Sequence, residues 1–151
     1  MSRERVPTHL KQAVIERAQA CCEYCAGLAR YSMSPFAIDH ILPLSRGGQT
    51  ELDNLALVCQ GCNGAKYNKI TALDPISNRE VPLFHPRQQR WRDHFAWNAP
   101  CTHIVGLTPT GRATIVALQL NRFELLNLRE VLYTVGDHPP EIYMNKQSSN
   151  R

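Results

Sequence analysis

The stretch IDHILPLSRGGQTELDNLALVCQGCNGAKYNK, residues 38–69, decides the fold of this 151-residue chain. It contains an Asp-His pair, a Gly-Gly loop, an isolated Asn before an apolar run, and the sequence Cys-x-x-Cys-Asn-x-x-Lys. These residues offer a general base, oxygen ligands for a hard cation and two thiolates of a metal site. A second Cys-x-x-Cys pair, Cys22 and Cys25, lies upstream.

The two Cys-x-x-Cys pairs predict a closed metal site. Two residues between the thiolates let both sulfurs of a pair face one ion at a Zn–S distance of about 2.3 Å, and two pairs complete a tetrahedron. The alternatives are a redox pair or unrelated buried cysteines. Cys21 competes with its neighbour Cys22, but Cys22 keeps the two-residue spacing. We therefore predict a structural Zn²⁺ bound by Cys22, Cys25, Cys59 and Cys62.

Length and charge bound the class of protein. We predict one domain over 1–151, with a core at 8–70, a C-terminal elaboration at 71–135 and a flexible tail at 136–151. The net charge of +4 and the pI of about 8.8 suit a polyanionic partner without requiring one. No apolar run resembles a secretory leader or a membrane helix, so we expect a cytoplasmic protein with reduced thiols and no membrane partner.

Hydrophobic periodicity predicts the order of the elements. An amphipathic helix is expected over 8–20, with Leu10, Val14, Ala18 and, less regularly, Ile15 on one face. A strand over 36–41, a returning strand over 55–58 and a short helix over 60–68 follow. Residues 74–86 are expected to form a loop. A helical hairpin comes next, with one helix starting at Thr108-Pro109 and the second at Asn121, where Glu124 is the capping-box partner.

Basic and aromatic residues are interleaved between 87 and 97. They either grip phosphates and stack on bases or pack the C-terminal part against the core, and the area that large aromatics bury favours packing. Arg112, Arg122 and Arg129 either line a DNA-facing side or are ordinary surface residues. Residues 138–151 lose periodicity and are expected to fray.

The polar residues of the central stretch match the needs of phosphodiester hydrolysis. This reaction requires a base that activates water and a cation that neutralises charge on the phosphoryl oxygens. His40 is the candidate base, because imidazole titrates near neutrality. Asp39 precedes it on a strand and points to the other face, where it can reach a metal.

The order Asp39-His40-Ile41-Leu42-Pro43, Gly47-Gly48, Asp53-Asn54-Leu55 and Cys59-x-x-Cys62-Asn63-x-x-Lys66 resembles that of the HNH endonucleases, specifically the zinc-containing branch of the ββα-metal nucleases. The resemblance covers residues 22–69, and the stretches LFHPR, HFAW, GLTPTGRATI and LNR resemble the long tail of bacterial stand-alone HNH proteins. It implies an α+β fold: a ββα-metal motif stapled by a four-cysteine zinc site, with an N-terminal helix and a C-terminal helical extension.

The resemblance also implies roles for single residues. His40 would be the general base, and Asp39 and Asn63 would hold a catalytic divalent metal. Asn54 would fix the loop and the orientation of the His40 ring, and Lys66 and Arg46 are candidate phosphate contacts. Asn63 stands where the name of the family calls for a third His. Its amide oxygen, beside a carboxylate, favours Mg²⁺ or Mn²⁺ over softer ions.

The resulting expectation is a metal-dependent endonuclease that hydrolyses phosphodiester bonds, with double-stranded DNA as the substrate. The alternative is a non-catalytic, zinc-stabilised module that binds nucleic acid, and a protein-interaction scaffold is a third possibility. Both a monomer and a homodimer are compatible with the sequence.

Overall fold

A computed structural model of the chain describes residues 5–146. Within this range the predicted α+β class is confirmed. None of the helices described is long and apolar enough to cross a membrane. The helices and strands, in chain order, are α1 Thr8–Arg17, β1 Ala37–His40, β2 Leu55–Val58, α2 Gln60–Lys66, β3 Thr71–Leu73, β4 Glu80–Pro82, α3 Trp91–His94, β5 Phe95–Trp97, β6 Ile104–Gly106, α4 Pro109–Leu118 and α5 Phe123–Thr134.

The predicted ββα unit consists of β1, β2 and α2. The strands are antiparallel, with Ala37 opposite Val58 and His40 opposite Leu55. All four residues of β2 are buried, as expected for a continuous apolar run. Strand β1 is shorter than predicted by one residue at each end. Helix α2 ends at Lys66 rather than at residue 68, because Tyr67 leaves the helical region with φ 51° and ψ −115°.

Helix α1 packs on the ββ hairpin. Val14 and Ala18 are buried against Leu55 and Leu57, with Leu10 packed beside them, as the periodicity predicts. Ile15 lies on the exposed side, 42% accessible. The helix ends at Arg17 rather than at residue 20, because the two residues that precede the first cysteines adopt positive φ angles.

The loop predicted over 74–86 is wrong. Strand β4 lies in this segment and pairs with β3, and the side chain of Asp74 accepts hydrogen bonds from the N–H groups of Ile76 and Ser77 in the turn. A second hairpin, β5–β6, was also missed. Strands of three residues are too short to show a period-two pattern, so the sequence carried little signal for either.

The aromatic residues between 87 and 97 form the core of the C-terminal extension, which confirms the packing interpretation. Trp91, Phe95 and Trp97 are buried in the same cluster as the first cysteines. The indole of Trp91 donates to the carbonyl of Tyr24 at 2.9 Å and thereby ties the extension to the Cys22–Cys25 knuckle. These rings are not free to stack on bases.

Two of the arginines considered for a DNA-facing side bind within the protein. Arg112 makes a bidentate ion pair with Asp74, with both N–O distances 2.9 Å. Arg129 is buried and donates to the carbonyl of Leu120 at 2.6 Å. Helix α5 begins at Phe123, two residues later than predicted, with Arg122 at the N-cap position. The amide of Asn121, the predicted start, pairs instead with the backbone N–H and carbonyl of Ile104.

The flexible tail predicted from residue 136 is wrong up to residue 146. Tyr143 is buried, and its carbonyl accepts a hydrogen bond from the indole of Trp97 at 2.9 Å. The amide of Asn145 pairs with both backbone groups of Trp97. A few buried side chains anchor this segment without any periodic pattern. Residues 147–151 of the predicted tail lie outside the described range.

Candidate active site

Four thiols converge between the knuckle after α1 and the start of α2. Their sulfurs lie within 4.8 Å of one another, and the Sγ atoms of Cys25 and Cys59 are 3.7 Å apart. A tetrahedral ion with Zn–S bonds of about 2.3 Å places its sulfurs about 3.8 Å apart. The residues Cys22, Cys25, Cys59 and Cys62 therefore fit the predicted structural zinc in both chemistry and size.

The backbone supports both halves of this cluster in the same way. The N–H of Cys25 points at the sulfur of Cys22, and the N–H of Cys62 points at the sulfur of Cys59, both at 3.5 Å. Cys21 lies outside the cluster and donates to the Gln19 carbonyl at 3.4 Å. Burial raises the pKa of the Cys21 thiol to about 11, which keeps it protonated. The structure thus brings Cys22, not Cys21, to the metal site.

Arg122, at the junction of α4 and α5, contacts the same cluster. Its guanidinium nitrogens lie 3.3 Å from the sulfur of Cys59 and 3.5 Å from that of Cys62. A methyl group at Gly61 would lie 2.5 Å from this guanidinium, so the absence of a side chain there makes room for it. Thiolates are good partners for a charged donor. The extension therefore contacts the four-cysteine cluster directly, through Arg122.

At the end of β1, Asp39 and His40 point to opposite faces of the hairpin. His40 is half-buried, and its Nε2 lies 2.9 Å from the Thr50 hydroxyl. A hydrogen bond at Nε2 leaves Nδ1 as the other polar atom of the ring. The predicted general base is thus oriented by a side chain that the sequence analysis did not select.

Asn54 closes the loop between the two strands. Its amide oxygen accepts from the N–H of Leu42 at 2.8 Å, and its amide nitrogen donates to the carbonyls of Leu42 and Gln49 at 3.0 and 2.9 Å. Gly48 lies against this amide: a methyl group there would be 1.8 Å from the Leu42 oxygen. Asn54 therefore fixes the loop, whereas the expected hydrogen bond to the His40 ring is made by Thr50.

On the other face, Asp39 pairs with Lys66 of α2. The Lys66 ammonium lies 3.0 Å from Asp39 Oδ2 and donates to the Ile41 carbonyl at 3.1 Å, and both side chains are almost completely buried. Burial raises the pKa of the Asp39 carboxyl, although the Lys66 charge acts in the opposite direction. In this structure Lys66 is thus paired with Asp39 and almost completely enclosed, and its predicted phosphate contact stays a prediction.

This geometry agrees with the comparison with known families. Residues 22–69 match the sequence model of the family described as HNH endonuclease. The chain carries an HNH domain. The match begins at the first zinc-site cysteine and ends just after α2, so it contains the four-cysteine cluster, the ββα unit and Asn54. A search of curated proteins found no match.

Asp39 and Asn63 are the two residues predicted to hold a divalent metal. Asp39 Oδ2 is enclosed but receives no well-directed hydrogen bond from the described residues, so its lone pairs are not saturated. Asn63 lies three residues before Lys66 on α2 and is half-buried. Its side-chain amide makes no hydrogen bond within residues 5–146. Carboxylate and amide oxygens suit a hard cation. The Lys66 ammonium, 3.0 Å from Asp39 Oδ2, would compete with such an ion.

Arg46 is the remaining predicted contact. It is exposed, and its Nε donates to the carbonyl of Asn68 at 2.8 Å, which holds the guanidinium beside the end of α2. An ion pair also supports the HNH domain: Glu23 lies within the matched residues and Arg87 lies outside them. Glu23 accepts from the N–H of Leu57 at 2.8 Å and forms an ion pair with Arg87, linking the knuckle, β2 and the extension.

The sequence signal for the missed residues is weak. Thr50 follows His40 by ten positions through an irregular loop, and Arg122 lies 60 residues after Cys62. Neither spacing corresponds to a helix or strand period. Only the folded loop and the packed extension bring these side chains to the site.

Proposed function

We propose that the HNH domain is a metal-dependent endonuclease that hydrolyses phosphodiester bonds in double-stranded DNA. The observation that carries this proposal is the imidazole of His40, half-exposed at the end of β1 and held at Nε2 by Thr50. An imidazole fixed in this way is suited to proton transfer. Asp39 in β1 and Asn63 in α2 carry the oxygen ligands that a divalent cation would need.

His40 would act as the general base. When Nε2–H donates to the Thr50 hydroxyl, the lone pair of the ring is on Nδ1. Nδ1 then takes a proton from a water molecule as the water oxygen forms a bond to phosphorus and the bond from phosphorus to the leaving oxygen breaks. The leaving oxygen takes up a proton, and His40 returns its own to solvent. Asn54 contributes by holding the loop that carries Thr50.

Asp39 and Asn63 would hold a divalent cation. Bound there, Mg²⁺ or Mn²⁺ would neutralise charge on the phosphoryl and leaving oxygens. Lys66 keeps the Asp39 carboxylate next to α2 and would have to share it with the ion. Arg46, exposed near the end of α2, is available to a neighbouring phosphate. The Zn²⁺ of the four-cysteine cluster would be structural, since all four of its positions are taken by thiolates.

One observation favours the second candidate, a zinc-stabilised module that binds nucleic acid without cleaving it. The Asp39–Lys66 ion pair already neutralises the carboxylate at 3.0 Å and encloses it. In such a buried pair each charge compensates the other without a metal ion. If it does not open for a divalent cation, the domain binds nucleic acid but lacks catalysis.

The decisive experiment incubates the purified chain with supercoiled plasmid in Mg²⁺, in Mn²⁺, in Zn²⁺ alone and without added metal. We expect nicking with Mg²⁺ or Mn²⁺ and its loss in His40→Ala. His103→Ala, at an exposed position outside the HNH domain, is the matched control and should nick like wild type. Equal nicking by His40→Ala would contradict the role of His40 as the base, and DNA binding without metal-dependent nicking would favour the binding module. Cleavage with Zn²⁺ alone would contradict the metal assignment.

A further inference from the structure

A cleft of about 400 Å³ opens beside the HNH domain. It is lined by Ile41 and Leu42, which directly follow His40 in the chain, and by Leu83 and Phe84 of the extension. A volume of this order is typical of pockets for small ligands or single groups of a larger one. Lys66, whose ammonium lies 3.0 Å from Asp39 Oδ2, also lines the cleft, so the cleft borders the side of the site on which Asp39 lies.

His85 gives this cleft a fixed hydrogen-bond donor. Its Nδ1 accepts from the N–H groups of Arg87 and Gln88, at 3.2 and 3.3 Å. A nitrogen that accepts two hydrogen bonds cannot carry the ring proton of a neutral imidazole, so that proton is on Nε2. Burial lowers the pKa of His85, which also favours the neutral ring. Within residues 5–146, Nε2 has no hydrogen-bond partner.

The charges around the cleft are positive. Lys66 and Lys69 line it on the α2 side, and no carboxylate is among the lining residues. Lys69 is exposed, and its ammonium donates to the carbonyl of Ala65 at 2.8 Å. Arg46 is held next to it through Asn68. Two exposed cations thus lie at the end of α2, close to where the cleft opens.

We propose that this cleft is a nucleotide subsite of the endonuclease. It would receive one nucleotide of the substrate strand next to the cleaved phosphate. The base, turned out of the duplex, would pack against the apolar side chains of the cleft, His85 Nε2–H would donate to an acceptor on the base, and Lys69 would contact the phosphate. This subsite rests on the proposed function, since it takes its substrate from the HNH site. His85 is a specificity-determining residue in this scheme, not a catalytic one.

The test measures binding separately from cleavage. Affinity for a fluorescently labelled DNA duplex is measured by anisotropy in a His40→Ala background, with zinc content and melting temperature checked for each protein. His85→Asn retains an acceptor near the position of Nδ1, so the turn is kept, but it removes the Nε2 donor. Ile70→Trp fills the cleft from its half-exposed rim. His103→Ala is the control.

We expect the dissociation constant to rise about 3- to 10-fold in His85→Asn, as for one lost hydrogen bond, and to rise in Ile70→Trp as well. With His40 present, both variants should raise KM and leave kcat within about twofold of wild type. Unchanged affinity and KM in both, or a loss in kcat alone, would overturn the subsite. A chain that binds DNA but never nicks would overturn the proposed catalysis, while the affinities of the same variants would still decide the subsite.

Discussion

At the scale of single residues, the candidate site depends on side chains that hold other side chains. Thr50 holds the His40 ring, Asn54 holds the loop that carries Thr50, and Lys66 holds Asp39. Neither Thr50 nor Asn54 would touch a phosphate directly. Their contribution is to keep the reacting groups in one geometry, which is where much of the advantage of an enzyme site lies.

The hydroxyl of Thr50 gives the first prediction. Thr50→Val keeps the shape of the side chain but leaves His40 Nε2 without its partner, so the imidazole loses its fixed tautomer. We expect kcat for plasmid nicking to fall about 10-fold, as for other residues that orient an imidazole. Thr50→Ser restores a hydroxyl and should recover most of the rate. A valine variant as fast as wild type would remove Thr50 from the mechanism.

Gly48 gives the second prediction. Its methyl derivative would collide with the Leu42 carbonyl at 1.8 Å, so the loop of Asn54 must shift. We expect Gly48→Ala to lower the free energy of unfolding by about 1–3 kcal/mol, as for other overpacked sites, measured by urea denaturation. Gly64→Ala is the control, since a methyl group at Gly64 would meet no neighbouring atom within 4 Å and alanine favours the helix. A destabilisation by Gly64→Ala equal to that by Gly48→Ala would contradict this.

Residues with a local signature could be predicted from the sequence, and residues with a distant partner could not. The four cysteines were selected correctly as a cluster because the two-residue spacing is itself the geometry of the site. The burial of Lys66 could not be predicted, because its partner Asp39 is across the unit in β1 and a buried lysine looks the same in a sequence as an exposed one.

At the scale of elements, the C-terminal extension completes the metal centre. The junction of α4 and α5 brings the Arg122 guanidinium to two of the four sulfurs, and α4 packs against α2 next to it. A zinc site with four thiolate ligands carries a net negative charge, which a cation hydrogen-bonded to the thiolates offsets. The extension and the HNH domain are therefore coupled through the zinc site.

Arg122 gives the third prediction. Arg122→Gln removes the charged donors, so we expect zinc to be released to a colorimetric chelator about 10-fold faster than from wild type. The rate of zinc release from Arg122→Lys should lie between those of wild type and Arg122→Gln, because one ammonium cannot reproduce the planar fork of donors. Arg90→Gln, an exposed arginine of the same extension, is the control and should release zinc at the wild-type rate. Equal rates in all four proteins would show that the contact has no effect on the metal.

Elements with a strong local sequence signal were predicted well. Strand β2 and the start of α4 at Pro109 agree with the expectation, since an apolar run and a Thr-Pro cap are strong signals. The β3–β4 and β5–β6 hairpins were missed, and the start of α5 was misplaced because Asn121 had the sequence of a cap but pairs with β6. Tertiary contacts, not local preference, decided these cases.

At the scale of the whole molecule, the buried His138 links stability to pH. His138 is buried, with Nε2 2.8 Å from the Cys101 carbonyl, and burial lowers its pKa below the ordinary value. The unfolded chain therefore binds a proton at His138 at a pH where the folded chain does not. The stability that comes from neutral His138 is fully present above about pH 6.5 and is lost as the pH falls below it.

His138→Gln gives the fourth prediction, because glutamine stays neutral at every pH and retains a donor. We expect the decline in melting temperature between pH 7 and pH 5 to be smaller in this variant than in wild type. His103→Gln, at an exposed position, should decline like wild type. Acid also weakens the zinc site, but equally in all three proteins, so the difference between them is diagnostic. Identical declines would contradict a buried neutral His138.

The overall architecture was predictable only in its first half. The zinc spacing and the ββα pattern fixed the arrangement of residues 22–69, whereas the extension holds together through aromatic rings, internal arginines and a non-periodic terminal segment. Such contacts join residues far apart in sequence, and composition alone does not show which cations remain at the surface.

A bound zinc ion also changes the net charge with which the protein binds a polyanion. The formal charge of +4 counts the cysteines as neutral, but four thiolates and one Zn²⁺ add −2, which leaves +2 on the loaded chain. Lys66, Arg87 and Arg112 are already neutralised by internal carboxylates. Few counterions are then displaced when DNA binds, and the slope of log affinity against log salt, about −0.9 per phosphate contact, should be shallow. Recognition would depend on where the exposed cations lie, and hence on Arg46 and Lys69 rather than on the total charge.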